Sequence, residues 1–104
     1  MSAYIADTAE VGENVTIEGN VQIYDFAILE DHATVCGFAV VGGNTYIGDH
    51  ANVSSYAQVL DNAVVIGHVQ VYGTAMVHGN VILAGDVSIP SGSLRHIHWW
   101  RDVP

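Results

Sequence analysis

The chain has 104 residues, half of them hydrophobic, and a formal net charge of −9 at pH 7. One domain fits that length, and so acidic a surface, with no lysine and with Arg95 and Arg101 as its cations, repels nucleic acid and anionic membranes. No run approaches the ~18 consecutive apolar residues of a membrane span, no basic-then-apolar leader opens the chain, and the single Cys36 excludes an intramolecular disulfide framework and fits a reducing, cytoplasmic compartment.

From Ile5 onward an aliphatic residue recurs every six positions: Ile5, Val11, Ile17, Ile23, Leu29 and so on through Val77, Leu83 and Ile89. Fifteen consecutive hits carry no insertion or slip. Two positions before most of them stands alanine or valine, as at Ala27, Ala33 and Ala39, with Thr45 in the same place. Two inward side chains separated by one outward residue make a short strand. Behind each strand come turn formers such as Gly19-Asn20, Gly43-Asn44, Asp61-Asn62 and Gly79-Asn80, types that accept turns and left-handed backbone. Each hexad is therefore predicted to be one short strand and one corner.

The corner residues set how many hexads close a circuit. At a spacing of eighteen, one column reads Asn14, His32, His50, His68, Asp86, a second Thr8, Phe26, Asn44, Asn62, Asn80, and a third Asn20, Phe38, Tyr56, Thr74, Gly92. At twelve the residue types scramble. Three hexads per turn give about five triangular coils of a single-stranded parallel β-helix, an all-β fold.

The fifteen hexads resemble the hexapeptide-repeat family of transferase-type β-helices over residues 3 to about 92. Segments such as "DNAVVIG" and "GTAMVHGN" are similar to its short-repeat, YdcK-type branch. The resemblance implies a left-handed helix, against the right-handed habit of parallel crossovers. Residues 1–92 are read as the β-helix and residues 93–104, "SGSLRHIHWWRDVP" from Ser91, as the start of a C-terminal capping or interface segment carrying Trp99 and Trp100.

Splitting the outward positions by face separates their chemistry. One face is polar, with Thr16, Thr34, Asn52, Gln70 and Ser88. A second carries an apolar stripe of Ile28, Tyr46, Val64, Ile66 and Ile82, the kind of patch that marks an interaction surface. The third, with Tyr4, Tyr24, Val40, Leu60, Met76 and His78, is mixed. Relatives by resemblance are often trimers, so the expected partner is a second and third copy of the chain, joined through the apolar face and Trp99 and Trp100.

His32, His50 and His68 admit two readings. They occupy a corner whose backbone histidine tolerates, or they hold a divalent transition metal or form a pH-sensitive seam, since neutral imidazole is a good ligand. No other cofactor is expected. His78-Gly79 is similar to a dipeptide near the active sites of some relatives, and Cys36 is read as inert.

The resemblance brings acyltransferase chemistry with it, which needs a projecting loop, a dedicated histidine and cations for the carrier's phosphates. The fifteen hexads contain no loop insertion, and the sequence has no lysine. The expected function is a non-catalytic scaffold or interaction module that self-associates; the alternative is a minimal acyltransferase-like protein with a ligand or metal at the histidine corner between subunits.

Overall fold

A computed structural model describes the backbone of residues 3–94 and 98–99, with side chains through residue 93. Every strand has two residues, and the strands stack into three all-parallel sheets, one per side of a triangular solenoid. The first sheet stacks Tyr4–Ile5, Gln22–Ile23, Val40–Val41, Gln58–Val59, Met76–Val77 and Ser93–Leu94. The second stacks Glu10–Val11, Ile28–Leu29, Tyr46–Ile47, Val64–Val65, Ile82–Leu83 and His98–Trp99. The third stacks Thr16–Ile17, Thr34–Val35, Asn52–Val53, Gln70–Val71 and Ser88–Ile89.

Register follows from the hexad. Ile28 pairs with Tyr46, Tyr46 with Val64 and Val64 with Ile82, each eighteen residues on. The five coils expected from the corner columns are present. Inside, the hexad aliphatics from Ile23 to Leu83 are fully buried, as are the alanines and valines two positions before them. Small residues at the second position let three walls meet without a void, while Ile, Leu and Val fill the middle. Thr45 breaks the pattern: it is 1% exposed, and its Oγ1 has no hydrogen-bond partner among the described residues.

Strand pairing outlasts the repeat. Met76 pairs with Ser93, seventeen residues on, and Ile82 with His98, sixteen on. The slip begins at Pro90, whose carbonyl accepts the Thr74 N–H at 3.2 Å one residue earlier than the eighteen-residue spacing requires. The segment from residue 93 therefore adds edges to two sheets. Trp99 lies in register with the inward-facing Leu83, while Trp100, Arg95 and Arg101 lie outside the described residues. No helix among the described residues is long and apolar enough to cross a membrane.

Candidate functional site

The corners are built from one left-handed residue each. From residue 19 to 85 every sixth residue has positive φ: Gly19, Asp25, Asp31, Gly37, Gly43, Asp49, Ser55, Asp61, Gly67, Gly73, Gly79 and Gly85. Glycine takes that backbone without penalty, and aspartate is among the few residues that tolerate it. The aspartates gain a bond in exchange. Oδ2 of Asp31 accepts the Asp49 N–H at 3.1 Å, Asp49 accepts the Gly67 N–H at 3.0 Å, and Asp25 accepts that of Gly43 at 3.0 Å. Each corner carboxylate thus caps the amide of the corner above it. That is where much of the negative charge resides.

This geometry corrects the reason given for the histidine column. His32, His50 and His68 follow the left-handed residues Asp31, Asp49 and Gly67 and have no positive φ themselves. Their backbone N–H groups bond the carbonyls of the next coil, as from His50 to Gly67 at 2.9 Å. Tolerance of left-handed backbone selects the aspartate or glycine, and the position after it is free to carry any side chain.

Those free positions form ladders. His32 and His50 stack with ring centroids 5.1 Å apart at 11°, and His50 and His68 at 5.1 Å and 3°. Phe38 and Tyr56 stack at 5.0 Å and 5° on another corner, and Asn44 Nδ2 reaches Asn62 Oδ1 at 3.5 Å on the third. Imidazole lone pairs lie in the ring plane, so three parallel rings send them out side by side instead of toward one ion. Among the described residues no group of three or more His, Cys, Asp or Glu side chains is placed to hold a metal. The exposed rings would have to unstack and turn to chelate.

The apolar stripe lies on the second sheet as expected. Ile28, Tyr46, Val64 and Ile82 stack in register, and Ile66 stands half-buried two residues past Val64. Tyr46 lies along the face above Gly48 and donates its hydroxyl proton to Glu30 Oε1 at 3.0 Å. That hydrogen bond, then partial burial and the charges of Glu30, Asp31 and Asp49, push the phenol pKa up from 10.0. The corner between the first and second sheets extends the apolar surface. There Phe26 is 60% exposed, with Tyr24 and Tyr4 beside it in ring contact at 5.6 Å.

One cluster escaped sequence reasoning. His78 Nε2 lies 2.8 Å from Ser93 Oγ, and its Nδ1 lies 3.8 Å from Asp61 Oδ2. Ser93 sits beyond the point where the hexad ends, fifteen residues from His78, so an eighteen-residue column cannot reveal it. The Phe38–Tyr56 stack was visible in its column but carried no functional signal.

The three-sided stack and its corner ladders define a parallel β-solenoid of hexapeptide type. A family model described as bacterial transferase hexapeptide (six repeats) matches residues 8–43, and no curated protein matches the chain. The match covers two of the coils, and the same geometry continues through the next three, so the chain is similar to hexapeptide-repeat β-helix proteins in both sequence and fold.

Proposed function

We propose that the protein is a rigid β-helical scaffold that assembles with copies of itself, as a ring of three, through the face of its second sheet. The observation that carries this reading is the sorting of charge. In the third to fifth coils the outward residues of that face are Tyr46, Gly48, Val64, Ile66, Ile82 and Ala84, without a charge, while the carboxylates gather at corners and on the lower coils. An uncharged flat face on a chain of net charge −9 is suited to burial against another protein surface.

Area favours a ring over a pair. Five coils rise about 24 Å, and a solenoid 23 × 21 Å in cross-section then offers roughly 500 Å² per face. A stable interface buries about 800 Å² on each partner. One face falls short, whereas a ring gives each copy two neighbours, the second patch being supplied by the corner of Phe26 with Tyr24 and Tyr4.

The test is the solution mass of wild type and of Val64→Glu. Val64 is an outward strand residue, so the substitution leaves the core intact while placing a carboxylate in the proposed seam. Wild type should have three times the chain mass, and the variant should fall to one. A monomeric wild type, or a variant of unchanged mass, would reject the interface.

A further inference from the structure

Beyond self-association, we infer that Ser93 is an activated hydroxyl that takes an acyl group from small neutral esters, with His78 as its base and Asp61 as a positioning residue. The imidazole stands between carboxylate and hydroxyl, with Asp61 Oδ2 at 3.8 Å from His78 Nδ1 and Ser93 Oγ at 2.8 Å from Nε2. The order of the ring nitrogens matters. A carboxylate facing Nδ1 favours the tautomer with its proton there, which leaves the Nε2 lone pair to accept the Ser93 O–H.

Each member is held by the solenoid. Asp61 is a left-handed corner residue, and its Oδ2 also accepts the Gly79 N–H at 2.9 Å, which fixes the carboxylate against the residue that follows His78. Ser93 pairs in register with Met76, one strand above it, so both stand on the outer side of the first sheet. His78 is two residues past Met76 and reaches diagonally across to the serine. The side chain of His78 is 20% exposed and that of Asp61 59%, so the imidazole is shielded from one side while the hydroxyl stays open. The shortened spacing after Pro90 matters here, because Ser93 stands one residue earlier in the chain than strict eighteen-residue register would put it.

The step balances without a co-reactant. Ser93 Oγ attacks the ester carbonyl as its proton passes to His78 Nε2. The alcohol departs carrying that proton, leaving acyl-Ser93. Water then attacks the acyl carbon, again losing a proton to His78, and the acid is released as the serine regains its hydrogen. A chain of net charge −9 with no lysine selects against phosphorylated acyl carriers. Leu60 lies one coil below His78, and Met76 one coil below Ser93; they offer apolar surface for a short acyl chain.

The experiment treats the intact assembly with p-nitrophenyl acetate and maps the acetylated peptides by mass spectrometry. One acetyl group on Ser93 is expected. Ser93→Ala should remove it, and His78→Gln should slow acetylation by about tenfold or more. Asp61→Asn should alter the pH profile of Ser93 acetylation, which loss of the Gly79 contact alone would leave in place. The five remaining histidines give a background ester hydrolysis that persists in Ser93→Ala and is subtracted. The wild-type map decides the matter even if a variant misfolds. No acetyl on Ser93, or an equal rate in a folded His78→Gln, overturns the assignment.

Discussion

Gly42 and Gly43 are neighbours in the sequence and opposites in the structure. A Cβ built on Gly42 meets Asp25 Oδ2, Leu60 and Tyr24 at 3.6 Å, an ordinary contact, and its φ is not left-handed. A Cβ on Gly43 lies 2.6, 2.7 and 2.9 Å from backbone atoms of Asp61, with φ at +74. Gly42→Ala should stabilise the protein by about 0.4–1 kcal/mol, because alanine restricts the unfolded chain. Gly43→Ala incurs about 1–2 kcal/mol of left-handed strain. It must also push the coils apart where Asn44 N–H meets the Asp61 carbonyl at 2.6 Å, weakening a bond worth about 1 kcal/mol. The two variants should differ by about 3 kcal/mol, or roughly 12 °C or more in melting temperature for a domain of this size. Thermal unfolding by circular dichroism at one fixed protein concentration reads the difference, since an assembly's melting point depends on concentration. Equal melting temperatures, or a Gly43→Ala more stable than Gly42→Ala, would refute the corner geometry.

Three further predictions use the same protein. Thr45→Val exchanges an unpartnered buried hydroxyl for a methyl group of similar shape and should raise stability by about 1 kcal/mol, read by chemical denaturation. Tyr46 should ionise above pH 10.0 in an alkaline titration followed by ultraviolet absorbance, and Glu30→Gln should lower its midpoint. The sign follows from a folded pKa raised above 10.0: the stabilisation is complete below pH 10 and is lost as pH climbs through the raised value. His50→Asn should cost about 1 kcal/mol or less, for the loss of two exposed ring stacks, and should leave the solution mass unchanged with or without a strong chelator. A chelator-dependent mass in wild type would give the histidine ladder a metal.

The fold was legible because its physics is local and repeated. An aliphatic at Ile23 and another at Leu29 say little alone, but fifteen in step point to one architecture, in which those from Ile23 to Leu83 are fully buried. The eighteen-residue columns gave the circuit length because stacked side chains choose like neighbours, as His32, His50 and His68 do. The corner was harder. Gly-Asn and Asp-His both look like turn pairs, and nothing in the letters says that the first member carries the left-handed backbone. The stacked Asp31, Asp49 and Gly67 settle it through their φ values and amide caps. The Ser93 contact was beyond reach, since it depends on the slip at Pro90, which periodicity registers merely as the end of a pattern.

The constant offset between stacked strands also governs how such a chain can change length. Ile28, Tyr46, Val64 and Ile82 are joined by identical steps of eighteen, so gaining or losing eighteen residues returns every wall, corner and amide cap to a partner of its own kind. A gain or loss of six keeps the interior intact, since every hexad has the same inward pattern, but turns the exterior by a third of a circuit. Residues above that point would then present imidazoles over the asparagine or phenyl column and glutamines over the apolar stripe. The core would not register the error, and the surface would. Lengths of this protein are therefore quantised twice, in sixes for folding and in eighteens for whatever its outer faces recognise.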